Sequence, residues 1–238
     1  MLPLKEWLQS AEYRRIDALS MGELVTTAFF RDPLRPAHID PDAFYAPADG
    51  TIVYVHESIK PTEPIVNVKG RNFTVQQLLD NDKYNYNSIY IGIFMSSRDV
   101  HTNRIPCGGY LTQERSTPYL YTKGISMIDE ENGILNEDDI DDNDMSYLFK
   151  NQRKIVKVYS PRIKGSYFLV QISDRDIGSC IVFGKNAHYH QCERFGQVRW
   201  GSQVDLVVVL TGKVRYEILA KRGYHVEAGV DKIIQIVS

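Results

Sequence analysis

The sequence predicts an α+β fold that is mainly β, with antiparallel sheets, helices at the N-terminus and a barrel-sandwich-like C-terminal part. Three observations carry that expectation. Apolar Trp7, Leu8, Ala11, Met21, Leu24, Val25 and Ala28 recur at helical spacing near the start. Beyond Pro36 the pattern changes to short β-rich runs separated by Gly, Asp, Asn and Pro clusters, without the regular strand–helix alternation of a parallel sheet. Near the end, GYHVEAGV over 223–230 holds a G-x2-V-x2-G turn of the kind found in barrel-sandwich modules.

Taken in order, the N-terminal stretch reads as one or two amphipathic helices packed on the body or lying on a membrane surface. Lys5, Glu6, Glu12, Arg14, Arg15, Asp17 and Glu23 interrupt it, so it has neither a signal-peptide core nor the roughly 20 apolar residues of a span. Strands are predicted over 51–55, 88–95, 154–159, 166–172, 180–183, 204–210, 214–220 and 232–237, and a helix over 74–79. Residues 129–144 (DEENGILNEDDIDDND) hold nine acidic side chains and three aliphatic ones, which reads as a surface loop with little to bury. Its acids lack the register of a calcium loop, and no metal site is expected.

With 238 residues, 43% of them hydrophobic, the chain is long enough for an ordinary core and is expected to form a single catalytic domain over 1–238. A net charge of −2 supplies no basic field for nucleic acid. Cys107, Cys180 and Cys192 are few, odd in number and without C-x-x-C spacing, which argues against a disulfide framework or a zinc site. A reducing cytoplasm, with the protein soluble or peripheral to the membrane, is the simplest location.

Chemistry concentrates in three segments. In 194–210, RFGQVRWGSQVDLVVVL, a Gly-Ser pair stands directly before a strand apolar enough to be buried, and a buried strand is a rigid backing. With Ser202 Oγ held against the carbonyl carbon of Gly201, attack converts the peptide to an ester, helped by the conformational freedom of Gly201. Loss of the Ser202 α-proton then expels the ester by β-elimination, and the dehydroalanine left behind hydrolyses to a pyruvoyl group at a new N-terminus. Alone, Gly-Ser is ordinary turn chemistry. Its context is FYAPADGTIVYV over 44–55, with Asp49-Gly50 at a turn into a strand, and YIGIFMSSRDVHTNRIPCGG over 90–109, where a strand ends in Asp99-Val100-His101 followed by Asn103-Arg104.

In order and spacing these segments resemble the phosphatidylserine decarboxylase family, with its PADG turn, DVH strand end and late FGS motif. The resemblance extends to Phe29–Pro33, Asn151-Gln152-Arg153, Val170-Gln171-Ile172 and Ile177-Gly178-Ser179, and so spans about residues 29–210. It implies a proenzyme that cuts itself between Gly201 and Ser202 into a β chain, 1–201, and an α chain, 202–238, which remain associated. The cofactor implied is a covalent pyruvoyl group made from Ser202. It further implies that Asp49 is the carboxylate of the self-cleavage relay and His101 the histidine of decarboxylation. The implied reaction converts phosphatidylserine to phosphatidylethanolamine and CO2, with peripheral membrane contact as a corollary. A pyruvoyl carbonyl takes up the electron pair left as CO2 departs, and a histidine suits reprotonation at neutral pH.

One departure stands out. Where longer members carry a second histidine three residues after the first, this chain has Arg104, which leaves the processing base open among His101, Asp49 acting with water, and more remotely His188 and His190. Arg104 is instead a candidate for binding an anionic group of the substrate. Two rival readings remain: the same chemistry on a soluble amino acid, and a non-catalytic biotinyl- or lipoyl-like barrel-sandwich module built on the 223–230 turn. The second leaves the PADG and DVH segments without a purpose. Oligomeric state, including a homo-oligomer, stays open.

Overall fold

The computed structural model describes residues 1–35, 39–117, 126–136, 140, 145–175, 180–199 and 202–237. Its centre is a nine-stranded sheet, antiparallel throughout, that runs Leu2–Pro3, Tyr224–Val226, Gly50–Ile59, Ser88–Met95, Ser202–Val209, Gly165–Ser173, Arg153–Ser160, Gly109–Ser116 and Ala187–Tyr189 from edge to edge. Ser202–Val209 is the middle strand, and every one of its residues is buried. The near-continuous apolar run VDLVVV requires this place, because a strand covered on both faces cannot alternate apolar with polar.

Each face of the sheet has its own cover. Ile52, Ile91, Ile93, Met95, Leu169, Val204 and Leu206 pack with Phe44, Phe195, Ile233 and Ile234 from smaller sheets. On the opposite face, Tyr90, Phe94, Val170 and Val207 pack with Phe73 of the Pro64–Val68/Arg71–Thr74 hairpin and with Leu78 and Leu148 from short helices. The helix expected over 74–79 is Val75–Leu78; Thr74 and Gln77 cap each other's backbone at its start, which satisfies two otherwise orphaned amides.

The N-terminal helices are present as Leu4–Leu8, Ala11–Asp17 and Met21–Glu23, the last running into a π-helical turn, Leu24–Ala28. They share a small core of their own, Ile16, Leu24 and Ala28 with Leu19 against it. Among the described residues no helix is long and apolar enough to cross a membrane.

Two expectations are corrected. The C-terminal part is not barrel-sandwich-like, for no described sheet closes or curls on itself and the C-terminal strands are dealt to different sheets. Ser202–Val209 and Tyr224–Val226 enter the large sheet, whereas Arg215–Ile218 and Lys232–Val237 form a three-stranded sheet with Ala43–Tyr45. A turn motif sets a local reversal, but each strand joins the partners that bury it. The acidic segment is likewise not all loop. Ile128–Leu135 is a helix with Ile134 buried beneath it, and Glu131 accepts hydrogen bonds from the Ser97 amide and hydroxyl and from Arg98. Residues 137–139 and 141–144 lie outside the described residues.

A buried polar group beside the middle strand gives a measurable pH effect. Asp205 accepts from Gln203 Nε2 at 2.6 Å and from Tyr90 at 2.9 Å, and Tyr147 donates to Gln203 Oε1 at 2.7 Å. Gly92 leaves room for the cluster, since a Cβ there would lie 3.1 Å from Asp205 Oδ1. Burial outweighs these bonds and raises the Asp205 pKa to about 7. A carboxyl whose folded pKa is raised holds its proton in the folded state, so stability falls as pH rises from about 4 towards 7, with a limiting slope of ~1.4 kcal/mol for each pH step of one. Asn reproduces the protonated acid, accepting from Gln203 and donating to Tyr90. Asp205→Asn is therefore expected to remove that decline, and urea unfolding of both proteins at pH 5 and pH 8 measures it.

Candidate active site

At one end of the large sheet the three chemistry-bearing segments meet. Ser202 heads the middle strand with Met95 directly opposite on one side and Ser173 on the other, so the three side chains share a face. Its Oγ is fully buried and has no hydrogen-bond partner among the described residues. A buried hydroxyl left unpaired costs ~1–3 kcal/mol, a penalty that structural serines avoid. Gly201 lies outside the described residues.

Ser173 is fixed by the Asn151-Gln152-Arg153 segment. Its amide donates to the Gln152 carbonyl at 3.0 Å, and Asn151 Nδ2 donates to the Ser173 carbonyl at 2.9 Å. That motif therefore shapes the wall beside Ser202.

The PADG turn arrives through Gly50, which pairs across to Val226. Its φ of +147° lies outside the range of ordinary residues, and a Cβ there would sit 2.1 Å from the Phe94 carbonyl oxygen. Close approach at this glycine brings Asp49 to the end of the sheet. Asp49 accepts from Arg35 at 2.6 Å and from the Ala228 amide at 2.7 Å. Burial raises its pKa to about 6, because the Arg35 charge and the Ala228 amide offset only part of the desolvation. Ala228 belongs to the 223–230 turn, whose role here is to seat the Asp49 carboxylate.

His101 follows the turn that ends the Ser88–Met95 strand and is wholly buried. Its Nδ1 lies 3.1 Å from the Asp99 carbonyl oxygen, which can only accept, so the proton sits on Nδ1. Nε2 is then a bare lone pair, buried and without a partner among the described residues. Burial lowers the His101 pKa to about 4, against the opposing pull of Asp99. The Phe29 ring stacks on the imidazole at 3.8 Å between centroids. The His101 carbonyl accepts from the Val198 amide at 3.2 Å, which ties the strand just upstream of position 201 to the histidine.

Arg104 adjoins the PADG turn, its amide donating to the Pro47 carbonyl at 2.8 Å. It donates to Asp32 at 2.9 Å and to the Cys192 carbonyl at 3.0 Å. His188 and His190 are exposed, the former on the outermost Ala187–Tyr189 strand.

Two parts of the site escaped the sequence. Arg35 spans Asp49 and Glu227. His225, paired with Thr51 across the sheet, places Nε2 2.7 Å from Asp99 Oδ1, both side chains buried. No spacing rule reaches either contact, although Asp99 was already visible in the DVH segment.

A model of the phosphatidylserine decarboxylase family matches residues 23–233. Over 228 residues the chain is 28% identical to a Methanocaldococcus jannaschii protein provisionally named archaetidylserine decarboxylase proenzyme, covering 92% of this chain and 94% of that one. It is 31% identical over 203 residues to a phosphatidylserine decarboxylase proenzyme of Pelagibacter ubique, covering 84% and 75% respectively. The corresponding protein of Chlorobium limicola is 29% identical over 206 residues, with 87% and 76% covered.

Proposed function

Since the chain belongs to the phosphatidylserine decarboxylase family, we propose that it is a self-processing, pyruvoyl-dependent decarboxylase that converts phosphatidylserine to phosphatidylethanolamine and CO2. One observation carries the reading: Ser202 Oγ, buried and without a partner among the described residues at the head of the middle strand, at the sheet end that also holds His101 and the Asp49 carboxylate. In the processing step Oγ attacks the Gly201 carbonyl carbon and its proton passes to a base, while the Gly201–Ser202 C–N bond breaks and the nitrogen takes up a proton. Removal of the Ser202 α-proton then breaks the Cβ–O bond, so that Gly201 leaves as a carboxylate. Water completes the conversion and ammonia departs. His101, neutral at physiological pH, is the base for these transfers. Asp49 sets the local charge. The orphaned hydroxyl is the precursor this cofactor needs. When formed, the pyruvoyl carbonyl supplies the acceptor for the electron pair released with CO2.

The names of the archaeal and bacterial relatives share a seryl lipid, which supports a serine phospholipid over a free amino acid. Exposed Met21, Phe30, Leu34 and Ile39 on the N-terminal segment suit peripheral contact with a bilayer. Purified protein is expected to resolve under denaturing conditions into residues 1–201 and the 37-residue 202–238, the latter blocked to sequencing and lighter by one ammonia than a serine-started fragment. Intact mass measures this, and an active protein seen only as the uncut 238-residue chain would end the pyruvoyl reading. CO2 release from phosphatidylserine micelles but not from free serine or tryptophan fixes the substrate; the reverse result would assign a soluble amino acid.

A further inference from the structure

Asp99 and His225 are buried, charged or chargeable, and have no part in the steps above. Burying such a pair is expensive unless its geometry is good and its remaining atoms are bonded. Here both conditions hold for the acid. Asp99 Oδ1 accepts from His225 at 2.7 Å, and Oδ2 accepts from the Ser96 amide and hydroxyl, each at 2.8 Å. The pairing and those bonds lower the Asp99 pKa despite the desolvation, so the carboxylate is charged. The same residue's carbonyl is the acceptor that holds His101 Nδ1–H. Arg31 donates to that carbonyl at 3.3 Å and to the Arg98 carbonyl at 2.6 Å, clamping the turn from outside. Trp7 stacks on the His225 ring at 3.8 Å and 10°.

We propose that His225 is a positioning residue, acting through Asp99 and the 96–99 turn to hold His101 in the tautomer that bares Nε2. The inference rests on the proposed function for its catalytic consequence. His225 lies in 202–238 and Asp99 in 1–201, so this contact joins the two proposed chains across the turn that holds His101. Position 104, an arginine committed to Asp32, takes no part in this arrangement.

The test compares His225→Gln, which keeps a side-chain N–H for Asp99, with His225→Asn, which withdraws it while remaining polar. Three measurements are made on each full-length protein: chain cleavage, CO2 release, and the 15N shifts of the imidazoles. Parent and His225→Gln are expected to show His101 protonated on Nδ1, with rates within a few-fold of each other. In His225→Asn the His101 signals should move towards a mixture of tautomers, with rates lower by on the order of 10- to 100-fold. A folded His225→Asn protein with unchanged His101 shifts overturns the proposal, as does a parent His101 protonated on Nε2. Should His225→Asn fail to fold, the parent and His225→Gln spectra decide alone, and loss of the Nδ1–H signature in His225→Gln overturns it. If the parent neither cuts nor decarboxylates, the functional reading fails, while the imidazole spectra still decide the pairing.

Discussion

Ser202→Ala protein is expected to remain one uncut chain, to release no CO2, and to be at least as resistant to urea as the uncut parent chain. The first two results follow from the proposed mechanism, in which Ser202 Oγ is the attacking oxygen and the source of the pyruvoyl group. The third follows from the structure, because the Ser202 hydroxyl is buried with no partner among the described residues. Replacing the hydroxymethyl side chain by methyl removes an unmet desolvation cost of ~1–3 kcal/mol and breaks no hydrogen bond to a described residue. Opposite signs for activity and stability at one position mark a group kept for reaction. Ser202→Cys retains a nucleophile and leads to the same pyruvoyl group, whereas Ser202→Thr leads to a 2-oxobutanoyl group with an extra methyl in a closed space. Gel analysis, CO2 release and urea unfolding measure the set, and any cleavage at 201–202 by Ser202→Ala would remove Ser202 from the mechanism.

His101→Ala is expected to accumulate uncut, with processing slower by a factor on the order of 10²–10⁴, the usual worth of a positioned base. Sequence alone left open whether His101 serves decarboxylation only or both steps. The geometry favours a proton acceptor: Nδ1 is committed to the Asp99 carbonyl and Nε2 has no partner among the described residues. Arg104, standing where a second histidine would be, is bonded to Asp32 and the Cys192 carbonyl. A lowered pKa of about 4 keeps the imidazole neutral through the neutral range, so protonation of His101 itself removes the base only as pH falls towards 4. Asp49, with its pKa raised to about 6, changes charge earlier and adds a shallower step near that value. Processing followed on gels from pH 4 to pH 8 separates the two. A His101→Ala protein that cuts at the parent rate but decarboxylates slowly would confine His101 to the second step.

Much of this was legible in the sequence because apolar patterning and burial are local consequences of one another. The eight expected strands are all present within a few residues, and the apolar run after Ser202 pointed to a buried strand, which is the middle one of the large sheet. The PADG and DVH segments and Ser202 do lie at one end of the sheet, through Gly50, the 96–99 turn and the head of the Ser202–Val209 strand. What was missed depends on contacts that no spacing encodes. Asp99 and His225 are 126 positions apart, and strands such as Thr102–Arg104 and Tyr224–Val226 are too short to show a period. In the acidic segment, charge density masked a helix that buries Ile134 and spends Glu131 on Ser97 and Arg98 of the 96–99 turn. The barrel-sandwich expectation failed because a turn motif does not say which sheet its flanking strands will join.

The position of the Ser202–Val209 strand has a consequence for synthesis on the ribosome. Gly50–Ile59 and Ser88–Met95 lie on one side of it, Gly165–Ser173, Arg153–Ser160 and Gly109–Ser116 on the other, with no pairing between the two groups among the described residues. Until the last part of the chain leaves the exit tunnel, the nascent protein holds two half-sheets whose facing edges are unpaired and apolar. Such edges invite aggregation, and closing them depends on contacts distant in sequence, which form slowly. A serine placed at the head of the closing strand meets its neighbours only when that strand inserts, so an unfinished chain has no assembled site with which to act.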